Sequence, residues 1–207
     1  MPETQFILYQ TLEDKGNYLD NENEGPYPCA WENTWLGRGF YYWYHHMIVG
    51  KWWGKQRYGE GNYVIFRSIC TDLSKCWDLH SGPDQENFLY WLEKMDTKHL
   101  LKKNTTVAKV IEFIKGEFPD FNYEGIRILG VDSISRTAVQ DMGLSRIKFE
   151  IPRDQRDKHM QKFKAYFDPT PPVQVCLFKH GSLGRQDYKV VFPDEYCEDY
   201  RVEDYLI

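Results

Sequence analysis

The stretch Trp35-Leu-Gly-Arg-Gly-Phe-Tyr-Tyr-Trp43 combines two glycines with a run of aromatic residues, and Lys51-Trp-Trp-Gly54 follows it. Two glycines two positions apart let the backbone bend and approach another group closely. A helix from about Tyr44 to Arg57 would present Trp52 and Trp53 beside this run. The pattern favours a cleft that clamps a flat ligand, such as a nucleotide base or a nicotinamide ring. Composition alone also permits an alternative, in which these aromatic residues pack in the core and at its edges.

The composition predicts one large domain. The chain has 207 residues, and 42% of them are hydrophobic, which is enough for a sizeable core. Its net charge of −5, from 31 acidic and 26 basic side chains, excludes a chain-wide basic footprint for nucleic acid. A local basic patch stays open, because Lys and Arg cluster in residues 146–164.

Cysteine usage and the absence of long apolar segments predict a cytoplasmic chain. The five cysteines are irregularly spaced and include no Cys-x2-Cys pair, so we expect reduced thiols in an intracellular setting. The N-terminus has no basic region before an apolar run, which argues against a secretory signal. No apolar stretch approaches the ~18 residues of a membrane helix.

The order of strand-like and helix-like segments predicts an α+β fold. Strand patterns cover Phe6–Tyr9, Tyr63–Cys70, Arg146–Ile151, Val173–Phe178 and Tyr188–Phe192, and Ile126–Val131 is a strand or the end of a buried turn. Helical periodicity covers Asp84–Leu101, Thr106–Phe118 and Pro152–Phe167. We expect residues 13–33 to form a long loop and residues 179–185 a hairpin-like loop. The whole chain, 1–207, is expected to be a single domain, with 102–168 as a helical insertion or flank.

Familiar metal, phosphate and nucleophile motifs are missing from the sequence. Cys76 and His80 are four positions apart, but no third ligand lies at compact spacing, so no metal site is expected. Gly37-x-Gly39 lacks the third glycine of a dinucleotide fingerprint and the lysine and serine of a P-loop. The glycine-rich segment His180-Gly-Ser-Leu-Gly184 is more typical of a plain turn. No Gly-x-Ser-x-Gly elbow indicates a serine nucleophile.

Three segments lie in this order along the chain: Leu8-Tyr9-Gln10-Thr11, Gly37-Arg-Gly-Phe-Tyr41-Tyr42 and Gln186-Asp187-Tyr188-Lys-Val-Val-Phe192. Together they resemble the ADP-ribosyltransferase superfamily in its histidine-tyrosine-glutamate branch. The stretch from Tyr63 to Glu93 also looks like the small bacterial members of this fold. The resemblance implies a split β-sandwich of two small sheets packed face to face, with flanking helices and a central NAD cleft.

Two of the three signature positions differ from the family pattern. Gln10 stands where the family has a histidine that hydrogen-bonds a ribose of NAD, and an amide can still donate and accept there. The catalytic glutamate position falls at Gln186 or Asp187, depending on a one-residue shift. In the family, that carboxylate supports an oxocarbenium-like transition state as nicotinamide leaves. Because alternate strand residues face opposite sides, only one of the two is expected to face the cleft.

The resemblance also implies roles for the aromatic run. Tyr41 would stack on the nicotinamide, and Trp52 or Trp53 would close the other side of the ring. Backbone groups near the two glycines would contact the carboxamide or the ribose. The implied catalytic residues are Gln10, Tyr41, Gln186 and Asp187, and the implied NAD-binding residues are Gly37, Gly39, Tyr42, Trp52 and Trp53.

We therefore expect an NAD-binding protein that transfers ADP-ribose to a macromolecule or hydrolyses NAD. The main alternative is a catalytically inactive member of the fold that acts as a binding module, because two signature positions are altered. A third interpretation is an unrelated α+β interaction protein whose aromatic residues form an interface. The acceptor, whether a protein side chain, a nucleic acid base or a small molecule, stays open.

Overall fold

A computed structural model describes residues 6–29, 31, 34–118, 120–129, 147–148, 166–167 and 169–197. Across these residues the strands are β1 (Phe6–Glu13), β2 (Phe40–Tyr44), β3 (Tyr63–Cys70), β4 (Cys76–Asp78), β5 (Gly125–Leu129), β6 (Ile147–Lys148), β7 (Tyr166–Phe167), β8 (Val173–Leu177) and β9 (Gln186–Phe192). The α-helices are α1 (Tyr18–Glu24), α2 (Met47–Tyr58), α3 (Gly82–Thr97) and α4 (Val107–Glu117). Two short 3₁₀ turns, Ser182–Gly184 and Asp194–Tyr196, flank β9. The predicted α+β class is confirmed.

Seven of these strands form one sheet in the order β4-β5-β8-β2-β1-β3-β9. The pairs are antiparallel except for β4 with β5, which run parallel. Among the described residues, the short strands β6 and β7 form a separate two-stranded sheet. The prediction of two small sheets packed face to face differs from this pairing, because β2 pairs with β8 on one side and with β1 on the other.

The sheet nevertheless has a weak seam between β1 and β2. These strands share only two residue pairs, Leu8 with Tyr44 and Tyr9 with Trp43. In contrast, β1 and β3 are paired along their whole length, from Phe6 to Glu13. The sheet therefore consists of a four-stranded part, β4-β5-β8-β2, and a three-stranded part, β1-β3-β9, joined by a short ladder.

Helices cover one face of the sheet and build the larger core. Helix α2 lies against β1 and β2, where the Thr11 hydroxyl donates a 3.1 Å hydrogen bond to the Gly50 carbonyl. Helix α4 buries Val110, Ile111 and Ile114, which lie at positions i+3, i+4 and i+7 from Val107, as an amphipathic helix requires. They pack with α3 around the fully buried Trp77 of β4. The four-stranded part of the sheet thus rests on α3 and α4.

The opposite face carries two smaller cores, and the described segments that pack against them are short. One contains Leu8, Tyr42 and Leu177, and the other contains Phe66 and Tyr188, whose rings stack at 4.7 Å. Helix α1 is held here by Glu22, which accepts hydrogen bonds from Nζ of Lys189 and from the backbone of Val190. The sequence pattern missed α1, because its seven residues are almost entirely polar.

Several predicted elements match the structure closely and others do not. The strand Tyr63–Cys70 and the helix predicted over Thr106–Phe118 are confirmed. The hairpin-like loop before β9 is wrong, because β8 and β9 are separated in the sheet by β2, β1 and β3. Within 102–168, α4 and β5 belong to the central core. The predicted helix Pro152–Phe167 lies outside the described residues except for its last two, which form β7.

Candidate functional site: an aromatic cleft at the seam

A cleft of about 300 Å³ lies where the pairing between β1 and β2 ends. Residues 10–12 of β1 line one side, and residues 41–43 of β2 line the other. The remaining walls come from the segment before β2, from α2 and from β8. Because the two strands stop pairing after Tyr9 and Trp43, the sheet leaves room there for a ligand between its two parts.

Aromatic rings form much of the cleft wall. Trp43 and Trp53 meet at 6.2 Å between ring centroids, with an angle of 59° between their planes. Trp31 and Trp35 also line the cleft and are 51% and 41% exposed, so they lie at its rim. The guanidinium of Arg57 lies 4.6 Å from the Trp31 ring centroid, within cation–π distance. Such a wall suits a planar ligand.

Gln10 is the most constrained polar group at the cleft. Its amide nitrogen donates to the carbonyls of Tyr27 at 3.0 Å and Tyr41 at 3.4 Å. Its amide oxygen accepts from the Tyr27 backbone at 3.1 Å and from the Tyr188 hydroxyl at 2.6 Å. A glutamine side chain has two donor and two acceptor positions, and all four are used. Gln10 therefore links the two sides of the seam by hydrogen bonds, and its amide has no donor or acceptor position left for a ribose.

Tyr41 lines the cleft, but its hydroxyl is held by the turn that precedes β2. The hydroxyl accepts a 2.8 Å hydrogen bond from the Leu36 backbone and donates one of 2.7 Å to the Gly37 carbonyl. Burial raises the pKa of this phenol well above its usual range. Tyr41 packs beside the core that holds Trp77, whereas Gln10 belongs with Phe66 and Tyr188 on the other face. Only the Tyr41 ring is left to contact a ligand.

The two glycines of the run have structural roles, Gly37 in the turn before β2 and Gly39 in the packing against the sheet. Gly37 has φ +85°, which favours glycine, and its carbonyl holds Tyr41. At Gly39, a β-carbon would lie 2.5 Å from both Sγ of Cys176 and the carbonyl oxygen of Leu177. The close approach predicted from the sequence is therefore made to strand β8. Neither glycine lines the cleft.

Gln186 and Asp187 lie away from the cleft. Both are exposed, and neither contributes to its lining. The expected alternation fails because β9 holds one extra residue between two successive pairs with β3: Ile69 faces Gln186, but Arg67 faces Lys189. Asp187 adopts φ +51° at this bulge. The side chain that the strand turns inward is Tyr188, whose hydroxyl bonds to Gln10.

The remaining predicted residues divide between cleft and core. Of the two tryptophans, Trp53 lines the cleft, whereas Trp52 does not and is only 8% exposed. Tyr42 borders the cleft, but its side chain is 2% exposed and packs with Leu8 and Leu177. Burial raises the pKa of Tyr42. Tyr42 and Trp52 are thus placed to support the wall from behind.

The sequence pattern missed the lip of the cleft. Tyr27, Cys29 and Trp31 line it, but they lie in the stretch that was expected to be a plain polar loop. Tyr58, at the end of α2, and Gln174, on β8, also line it. The available signal was the aromatic content of an otherwise polar segment, since a loop without a role in packing or binding rarely carries tyrosine and tryptophan.

The cleft lining that the structure describes contains no Asp or Glu side chain. Across the described ranges, no group of three or more His, Cys, Asp and Glu residues is placed to hold a metal ion. None of the helices that the structure describes is both long and apolar enough to cross a bilayer. No protein-family model, curated protein or solved structure matches the chain.

Proposed function

We propose that this chain is an ADP-ribosyltransferase-like protein that binds the nicotinamide end of NAD in the cleft. The observation that carries the proposal is the position of the aromatic cleft at the seam between β1 and β2. A split sandwich places its ligand between two sheet parts, and here the two parts join through a short ladder. Tyr41 and Trp53 are the cleft residues assigned to the nicotinamide ring.

We further propose that binding dominates over turnover. Cleavage of the glycosidic bond builds positive charge on the ribose, and a nearby carboxylate stabilises it. The lining that the structure describes supplies no carboxylate, and the amide of Gln10 is fully hydrogen-bonded within the chain. These features favour a binding module over an efficient transferase. Transfer of ADP-ribose to a macromolecule, or hydrolysis of NAD, is the second candidate, favoured by the order of the three motifs.

Calorimetric titration with NAD tests the proposal, together with chromatographic detection of released nicotinamide. We expect saturable binding with Kd below about 1 mM, which corresponds to about −4 kcal/mol, and little nicotinamide release. Trp53→Ala removes one wall of the cleft and is expected to weaken binding by roughly tenfold or more, given the worth of a buried ring contact. Asp187→Asn lies outside the cleft and should leave the affinity unchanged.

The matched control is Tyr90→Ala, because Tyr90 is 49% exposed on α3 and does not line the cleft. It should bind NAD like the parent chain. Absence of NAD binding in a folded sample overturns the proposal. Steady nicotinamide release that is lost in Asp187→Asn would instead support the transferase, and would show that β9 rearranges when NAD binds.

A further inference from the structure

A second groove, of about 760 Å³, adjoins the cleft and shares its aromatic rim. Trp31, Thr34 and Trp35 line both cavities. The second groove continues along the first two turns of α4 and reaches the end of β5. A chain molecule lying in this groove would therefore pass directly beside the entrance of the cleft.

The groove is locally basic although the chain as a whole is acidic. Arg38, Lys109 and Lys115 line it, against a single described acidic residue, Glu112. Two more exposed lysines, Lys102 and Lys103, lie just before α4. Because the chain as a whole has a charge of −5, this concentration of positive charge marks one face for an anionic partner.

The groove cations also differ from five other lysines of the described residues. Lys15, Lys55, Lys75, Lys98 and Lys189 each form an ion pair with a glutamate. Among the described residues, neither Arg38 nor Lys109 forms an ion pair. Lys115 places its ammonium 3.2 Å from the Phe178 ring centroid instead, and burial lowers its pKa. Within the described residues, the charges of Arg38 and Lys109 are thus not neutralised by an ion pair, and Lys115 adds a third positive charge beside Phe178.

We propose that this groove binds single-stranded nucleic acid. Proteins that bind single strands combine a basic track for the backbone with aromatic side chains on which bases stack. Here Arg38, Lys109 and Lys115 form the track, and Trp31 and Trp35 offer rings that are about half exposed. Trp31 already carries the guanidinium of Arg57 on its ring. An acidic peptide would use the groove cations but would leave the ring of Trp35 without a stacking partner. Trp35 therefore favours a nucleic acid.

The position of the groove gives this surface a role in the proposed function. A base stacked on Trp31 or Trp35 would lie at the shared rim, next to the nicotinamide end of a bound NAD. The nucleic acid would then be the macromolecule presented to the cleft. That role rests on the proposed function, whereas binding of the strand does not, so the two are tested separately.

Fluorescence anisotropy with labelled dT12 and U12, without NAD, measures strand binding directly. We expect binding that weakens with salt, with a log–log slope of about −2, since each of three cations displaces about 0.7 of a counterion on a single strand. Arg38→Glu with Lys109→Glu should abolish binding. Trp35→Ala should weaken it by roughly tenfold, in line with the loss of one base stack.

The matched control is Lys94→Glu, an exposed lysine on α3 outside the groove. It should reduce the affinity by much less than the double groove variant, Arg38→Glu with Lys109→Glu. Circular dichroism of each variant confirms that it is folded. No binding of either oligonucleotide at low salt overturns the proposal, and so does binding that survives the double reversal. Binding of poly-glutamate but of neither oligonucleotide also overturns it, and would identify an acidic protein partner.

Discussion

The hydroxyl of Tyr188 donates a 2.6 Å hydrogen bond to Oε1 of Gln10, joining strands β9 and β1, which do not pair with each other. Strand β3 lies between them, and the Tyr188 ring stacks on Phe66 of that strand. Gln10 then reaches across the seam to the carbonyl of Tyr41. The first and third sequence motifs therefore meet through Tyr188. The hydrogen-bonded pair Gln10 and Tyr188 forms a brace behind the cleft.

Replacing Gln10 by alanine is expected to destabilise the protein by about 2–3 kcal/mol, because it leaves the buried Tyr188 hydroxyl and the Tyr27 backbone without partners. Urea denaturation of Gln10→Ala, Tyr188→Phe and the double variant gives the coupling energy. The sum of the two losses in unfolding free energy for the single variants should exceed the loss for the double variant. Gln85→Ala is the control, since its exposed amide makes one bond to Leu79. Strictly additive costs would show that the brace does not act as a unit.

Tyr41 offers a way to separate its hydroxyl from its ring. Tyr41→Phe should lower the free energy of unfolding by about 1–2 kcal/mol, because the Leu36 backbone loses its acceptor. The ring remains, so NAD affinity should change little. Tyr41→Ala removes the ring as well and should abolish NAD binding. Loss of affinity in Tyr41→Phe, in a sample that is folded, would mean that the hydroxyl itself contacts the ligand.

Gly39 should not tolerate a side chain. The β-carbon of Gly39→Ala would lie 2.5 Å from the Leu177 carbonyl oxygen, so the variant is expected to lose more than about 2 kcal/mol through overpacking. Gly116→Ala on α4 meets nothing within 4 Å and should gain about 0.5–1 kcal/mol from helix propensity. Thermal denaturation of both variants compares them. Equal melting temperatures for Gly39→Ala and Gly116→Ala would contradict the close packing of Gly39 against β8.

Alkaline pH should lower the free energy of unfolding, because the folded protein buries several thiols. Burial raises the pKa of Cys70 to about 11 and those of Cys76 and Cys176 to about 12. The unfolded chain loses these protons near pH 9, whereas the folded chain retains them. Their contribution to stability is therefore complete below pH 9 and is lost as the pH rises towards 11–12.

Urea midpoints measured between pH 8 and pH 10.5 test this pH dependence. Cys176→Ala should show a shallower decline than the parent chain, since it lacks one of the groups that resist ionisation. Cys29→Ala, at a partly exposed position on the cleft lip, is the control and should follow the parent slope. Parallel slopes for Cys176→Ala and the parent would count against the buried-thiol explanation.

Local sequence patterns determined several of the regular elements of this protein. The apolar spacing of Val110, Ile111 and Ile114 was enough to predict α4. The β-branched and aromatic residues of β3 predicted both the first and the last residue of that strand. The glycines and aromatics before Trp43 predicted a close backbone approach, which Gly39 makes to β8, and Tyr41, Tyr42 and Trp43 of the same run line the cleft. These features depend on residues near each other in the chain, and so the sequence carries them directly.

The tertiary structure alone decided how the motifs meet. Strand β9 pairs with β3 at the far edge rather than with β8, because the loop between them carries the chain across the sheet. One extra residue at Asp187 changes which side chain faces inward and brings Tyr188, not a carboxylate, to Gln10. Such a bulge shifts the strand register by one residue, and the hydrophobic pattern of the sequence does not reveal it. The cleft, its second groove and the brace behind them all depend on contacts between residues far apart in sequence.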